Sequence, residues 1–351
     1  MSPLFTGLST FPLTPTDADG VVDTDALGIL VDRLATAGVD PIGLLGSTGG
    51  YAYLDRAERV RAVAAGIEAA AGRVPVIVGV GALRTSWAVE LARNAERAGA
   101  SGLLLAPMSY FPLKQAEVAA HYRAVVGATA LPLCIYNNPG TTRFTFSDAL
   151  IADLAAVPGI AAIKMPLPAD ADYAAELARL RATTPDTFAI GYSGDWGTTA
   201  SLLAGGAAWY SVVAALLPEP ALRLTRAARA RRQDEAEAIE AAFAPFWALF
   251  KAHGSLRLMY AIADRLSLSV GDPPLPLLRA PDPVVAAVHV ARSPRRLNPR
   301  QAGAVMLTSW LALRFPRRRR RRFPAVSRCS PRSGARQDHE EMLGSSGRRT
   351  G

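Results

Sequence analysis

The chain has 351 residues, half of them apolar and a fifth charged, which suits one large soluble domain with extras or two ordinary ones of about 150 residues. Its formal charge of +9 divides unevenly: residues 294–351 carry 15 arginines and 3 acids, and the body before them is mildly acidic at net −3. Two distant cysteines, Cys134 and Cys329, exclude a disulfide framework and Cys/His zinc spacing, no basic-then-apolar leader opens the chain, and the apolar run 302–315 is too short and interrupted to cross a bilayer, so a cytoplasmic protein with no membrane segment is expected.

In chain order, short apolar runs alternate with longer alanine-rich segments of helical periodicity. Strands are predicted over Leu8 to Leu13, Ile42 to Leu45, Val76 to Val80, Gly102 to Ala106, Leu131 to Tyr136, Ile160 to Lys164, Thr187 to Gly191 and Ala207 to Val213. Helices are predicted over Asp25 to Ala37, Asp55 to Ala71, Thr85 to Ala98, Gln115 to Val126 and Ser147 to Ala155, with Asp25, Asp55, Thr85 and Ser147 as capping residues. Near-continuous apolar strands are covered on both faces, which means a parallel sheet. Eight such units before residue 218 fit an α/β fold of the (β/α)8 TIM-barrel type over residues 1–217, and no G-x-G-x-x-G follows the first strand to support a dinucleotide fold.

From 218 to 293 the pattern is helical without strands, with amphipathic stretches over Ala221 to Phe250 and Gly254 to Leu266, so a C-terminal helical extension is expected beside the barrel. Residues 294–351 are rich in Arg, Pro, Ser and Gly, and Arg317 to Arg322 is an unbroken basic run. Disorder is expected there. The tail reads either as a nucleic-acid or anionic-surface segment or as a non-functional appendage such as a frame-shifted end.

Reactive residues of a (β/α)8 barrel stand at the carboxyl ends of its strands. Among 39 basic residues only Lys114, Lys164 and Lys251 are lysines, and Lys164 ends an apolar strand. Arginine keeps its proton at neutral pH, so a nucleophilic amine has to be lysine; the plainer alternative is an ion-paired or snorkelling side chain. Tyr136 ends the preceding strand, either as a core or rim phenol or as a proton carrier beside Lys164. The turn Gly46-Ser-Thr-Gly-Gly50 follows the second strand, where Ser47, Thr48 and Gly49 offer hydroxyls and backbone N–H groups to a carboxylate, or form a simple tight loop. His121, His253, His289 and His339 are scattered without metal-ligand spacing, so neither metal nor cofactor is expected.

The order Gly46-Ser-Thr-Gly49, Tyr136-Asn-x-Pro139 and then Lys164, with Phe11 to Pro15 and Ser193-Gly-Asp195, resembles the dihydrodipicolinate synthase / N-acetylneuraminate lyase family over residues 7–293. The resemblance implies a class I aldolase or lyase that works as a homo-oligomer, dimer or tetramer. It implies Lys164 as the Schiff-base former, Tyr136 as proton relay, and Ser47 and Thr48 as the hydroxyls at the keto-acid carboxylate. Its partners would be a small 2-keto acid and an aldehyde or sugar acid. Departures fall elsewhere: Gly50 replaces an acid, Thr141 stands where synthases carry an arginine with Arg143 two residues later, and Met108-Ser109 replaces a paired tyrosine with Tyr110 following. Thr141, Arg143, Tyr110 and Tyr210 on the eighth strand are, with Thr48 and Gly49, the candidates for substrate binding. The expectation is poor use of aspartate semialdehyde and better use of a neutral aldehyde or hydroxylated sugar acid. A genuine 4-hydroxy-tetrahydrodipicolinate synthase and a non-catalytic keto-acid-binding relative remain the alternatives.

Overall fold

In the computed structural model, which describes residues 3–291, the alternation of apolar run and amphipathic segment becomes strand and helix. β1 (Gly7–Thr10) leads to α1 (Thr24–Ala37), β2 (Ile42–Leu44) to α2 (Arg56–Ala70), β3 (Val76–Gly79) to α3 (Thr85–Ala98), and β4 (Gly102–Leu105) to α4 (Gln115–Val126). β5 (Leu133–Tyr136) is followed by the single-turn α5 (Pro139–Thr142) and by α6 (Asp148–Ala155), β6 (Ile160–Met165) by α7 (Tyr173–Arg181), and β7 (Ala189–Ser193) by α8 (Thr198–Leu203). β8 (Ala208–Ser211) then pairs in parallel with β1, from Gly7 opposite Ala208 to Thr10 opposite Ser211, and closes the eight strands into a barrel.

The strands are almost wholly buried because helices cover the outer face and the barrel's own side chains fill the inner one. Leu104, Cys134, Ala162, Ala189 and Ala208 form an inner cluster of their own, apart from the larger core between sheet and helices. The same cluster holds the rings of Phe11, Tyr136 and Tyr210.

Two of the four expected caps stand: the Asp55 side chain accepts from Glu58 N at 2.7 Å and that of Ser147 from Leu150 N at 3.2 Å. The cap of α1 is Asp23 rather than Asp25, since Asp23 has the extended backbone and accepts from Ala26 N at 2.9 Å. Thr85 is likewise inside its helix, its hydroxyl turned to His121 Nδ1 at 2.9 Å, and Arg84 holds the cap position without a side-chain bond.

After the barrel come α9 (Pro218–Arg229), α10 (Gln233–His253), α11 (Ser255–Arg265) and α12 (Asp282–Ala291). The stretch expected as one helix from Ala221 to Phe250 is two, parted where Arg231 takes a left-handed backbone (φ 59°). α10 carries its own proline, Pro245. The junction of α10 and α11 brings Phe250 and Gly254 to Arg257 over the carboxyl ends of the strands. Among the described residues no helix is long and apolar enough to cross a membrane. The basic segment 294–351 lies outside the described residues, and with it the expected disorder and the nucleic-acid reading.

Candidate active site

Lys164 sits one residue before the end of β6, level with Tyr136 on β5 and Gly191 on β7. Strand partners in register share a face, so Lys164 and Tyr136 both turn toward the barrel axis. Lys164 is only 5% exposed, yet among the described residues no carboxylate pairs with it. Aromatic rings surround it instead: its Nζ lies 4.1 Å from the ring centre of Phe11, 4.1 Å from that of Tyr136 and 5.6 Å from that of Tyr210. Ring faces attract a cation while leaving the nitrogen's own lone-pair chemistry free once it is neutral.

Two bare backbone positions seat those rings. A Cβ on Gly43 would lie 2.2 Å from Cε1 of Phe11, and one on Gly191 would lie 2.8 Å from Cε2 of Tyr210. Only glycine permits such approach, so β2 and β7 act as shelves for the rings beside Lys164. Beneath them Tyr210 reaches Cys134 Sγ at 3.5 Å, and burial pushes the Cys134 thiol up to about 12, which keeps it a neutral core group.

The Tyr136 hydroxyl is held from two sides. Asn138 Nδ2 donates to it at 2.9 Å, and Ser47 Oγ lies 3.3 Å away. Ser47 comes from the loop that leaves β2 through Leu45, a non-glycine residue with a left-handed backbone (φ 56°), and such strain commonly marks a ligand-facing turn. Tyr51, from the same loop, is buried near Tyr136; burial first, and then the neighbouring Tyr136 phenol, raise its pKa, so it stays a neutral phenol. Arg59 holds Tyr51 in place: its guanidinium lies 5.2 Å from the Tyr51 ring and donates at 2.9 Å to the carbonyls of Gly79 and Gly81. Burial brings Arg59 down to about 10, which leaves it a cation at neutral pH.

These groups open on one cavity of about 620 Å³, within the range of small-molecule sites. Ser47, Thr48, Tyr136, Thr141, Lys164 and Tyr210 line it, which places six of the nine sequence candidates together. The other three do not line it: Tyr110 is 88% exposed, Arg143 is an exposed left-handed residue at the end of α5, and Gly49 packs against the backbone of Leu45. The sequence reading attached no role to Phe11, Asn138 or Asp195, and placed the α10–α11 junction beside the barrel rather than over its mouth. Asp195 lines the cavity but spends its oxygens inward, accepting from Trp209 Nε1 at 2.9 Å, Val212 N at 3.2 Å and Val213 N at 2.8 Å. Among the described residues no group of three or more His, Cys, Asp or Glu converges as a metal site.

The sequence profile of the dihydrodipicolinate synthetase family matches residues 4–289. A 4-hydroxy-tetrahydrodipicolinate synthase of Methylococcus capsulatus is 39% identical over 228 residues, 64% of this chain and 76% of that protein. Another, from Teredinibacter turnerae, is 33% identical over 296 residues, 84% of this chain and 97% of that protein. The crystal structure of a dihydrodipicolinate synthase from Agrobacterium tumefaciens superposes with a TM-score of 0.81 and 58% identity, covering 82% of this chain and 97% of that one.

Proposed function

This chain belongs to the dihydrodipicolinate synthetase family of lyases, and we propose that it forms a Schiff base between Lys164 and a 2-keto acid in order to cleave or dehydrate a hydroxylated sugar acid. The observation that carries this reading is a carboxylate-free lysine at a strand end, level with a tyrosine whose hydroxyl is already bonded to Asn138 and Ser47, all facing one cavity.

The chemistry follows from those positions. The neutral Lys164 amine adds to the ketone carbon, and the resulting hydroxyl takes a proton by way of Tyr136 and leaves as water, giving an iminium. The iminium withdraws electrons from the neighbouring carbon. In a retro-aldol step the C4 hydroxyl gives up its proton as the C3–C4 bond breaks, releasing an aldehyde and an enamine that regains a proton at C3; alternatively the intact iminium loses a C3 proton, and the enamine so formed expels its C4 hydroxyl, which leaves as water with a proton. Water adds back to the imine carbon, and the keto acid leaves with Lys164 restored. Ser47 and Thr48, beside the backbone of their loop, take the keto-acid carboxylate. No cofactor is needed, because the lysine itself supplies the electron sink.

Condensation of pyruvate with aspartate semialdehyde is the second reading, favoured by the names of the similar proteins. Against it, Thr141 offers one hydroxyl where a bidentate arginine would grip a carboxylate, and Arg143 is turned to solvent. Homo-oligomerisation belongs to the same proposal. Tyr110 and Phe111, in edge contact at 5.2 Å and 88% and 74% exposed, form an apolar patch suited to a second copy. A cytoplasmic setting completes it.

Borohydride reduction in the presence of pyruvate, followed by peptide mass measurement, tests the core of the proposal. The keto-acid mass is expected on the peptide containing Lys164, and trapping undiminished in Lys164→Ala would overturn the assignment. A kcat/KM panel over aspartate semialdehyde, neutral aldehydes and hydroxylated sugar acids separates the two readings.

A further inference from the structure

The cavity that holds Lys164 is also lined by the α10–α11 junction, through Phe250, Gly254, Ser255, Leu256 and Arg257. Its charges are few. Among the described lining residues the cations are Lys164 and Arg257, and the acid is Asp195. Asp195 is 3% exposed, and its oxygens are spent on three internal donors. Burial, partly offset by those donors, also favours its protonated form. The space a substrate fills therefore meets two unopposed positive groups from separate elements, Lys164 on β6 and Arg257 on α11.

Arg257 is half-buried, and among the described residues no acid, carbonyl or ring engages it. Two other arginines of the C-terminal region are paired: Arg279 binds both Asp264 and Asp272, and Arg232 binds Glu235 at 2.5 Å. A half-buried guanidinium left without a partner has given up hydration that a planar anion can restore through two parallel hydrogen bonds.

We propose that Arg257 is the specificity residue for the far end of the substrate, and that this end is a carboxylate: the enzyme acts on a hydroxylated 2-keto diacid. The proposal rests on the Schiff-base lyase reading and deepens it. An ammonium-bearing partner such as aspartate semialdehyde fits poorly, because the lining has no free acid to receive the ammonium. The position normally given to an arginine after β5 is Thr141 here, so the anion contact has moved from that loop to the C-terminal helices.

The test compares three probes in reductive trapping on the full chain: pyruvate, 2-oxohexanoate with a methyl end, and 2-oxoadipate, of equal length with a carboxylate end. Wild type should half-saturate with 2-oxoadipate at a concentration about 10–100-fold below that for 2-oxohexanoate, the span of one charged hydrogen-bonded contact. Arg257→Met should abolish that preference while pyruvate trapping keeps its wild-type rate, and Arg257→Lys should restore part of it. Equal half-saturation for the two six-carbon acids in wild type, or a preference that survives Arg257→Met, overturns the inference about Arg257 and leaves the lyase reading standing. Failure of every keto acid, pyruvate included, to label Lys164 overturns the lyase reading and this inference with it.

Discussion

The placement of Lys164 depends on a ring that depends on a glycine, and Gly43→Ala puts that dependence to a number. The new Cβ would stand 2.2, 2.5 and 2.7 Å from three atoms of the Phe11 ring. Carbon pairs settle at about 3.5–4.0 Å, so the ring must retreat by more than about 1 Å. Phe11 is 2% exposed and borders the cavity, so its ring retreats toward Lys164 and off its packed position, an overpacking that costs about 1–3 kcal/mol. For a domain of this size that lowers Tm by about 2–12 °C. The Lys164 amine lies 4.1 Å from the displaced ring, and an error of about 1 Å at a reacting atom costs up to ~100-fold, so pyruvate trapping should slow by about 10–100-fold. Gly28→Ala is the control of opposite sign: it lies inside α1, its Cβ would touch only Ala69 at 3.8 Å, and the change should raise stability by about 0.4–1 kcal/mol with trapping unchanged. If Gly43→Ala melts and traps like wild type, the shelf beneath Phe11 does not position the amine and the reasoning fails.

Tyr136→Phe should still yield the Lys164 adduct mass on long incubation but slow turnover by ~10²–10⁴, as expected for a positioned acid–base group, and an unchanged kcat would remove the phenol from the mechanism. Asp195 has its folded-state pKa raised above the ordinary 3.8, chiefly by burial, so the folded chain binds this proton more tightly than the unfolded one. Its contribution to stability is therefore greatest at low pH and is lost as pH rises through the raised value; denaturant titrations across pH should show that slope in wild type and lose it in Asp195→Asn. Removing residues 294–351 should leave Tm and trapping unchanged, because every lining residue of the cavity precedes residue 278; a loss of either would show that the segment supports the barrel.

What could be read from the chain follows the reach of the interactions involved. Strands such as Ile160 to Lys164 announce themselves because burial on both faces demands an uninterrupted apolar run, and the observed β6 extends it by one residue. The rarity of lysine in an arginine-preferring sequence singled out Lys164, and strand order alone put Tyr136 beside it, as their register shows. Caps were legible where one side chain reaches its own helix, as at Asp55 and Ser147, and failed where a second acid or hydroxyl lay within two residues of the true boundary, as at Asp23 against Asp25. Other features had no local sign. That Phe11 rests on Gly43, that Ser47 lies against the Tyr136 hydroxyl, and that Arg257 faces the same space as Lys164 are contacts across tens of residues, set by barrel closure and by the turn between α10 and α11.

That division has a functional consequence. The groups that would carry bond-making sit at strand ends, where strand register and glycine shelves fix their place. The groups that would choose the substrate sit on a one-turn helix after β5 and on the α10–α11 junction, segments that pair with no strand. A replacement such as Thr141 for an arginine would therefore alter which second reactant is held without loosening Lys164. A cation placed on α11 can take over anion recognition from a new direction, aimed at a different length of substrate. The consequence can be measured: substitutions at Thr141 or Arg257 should change the order of substrates by kcat/KM while the pyruvate trapping rate stays level, whereas substitutions at Gly43 or Gly191 should lower trapping for every keto acid alike. Should a Thr141 variant lose pyruvate trapping as severely as Gly43→Ala, recognition and chemistry would not be separable in this barrel, and the assignment of specificity to the helical wall would have to be withdrawn.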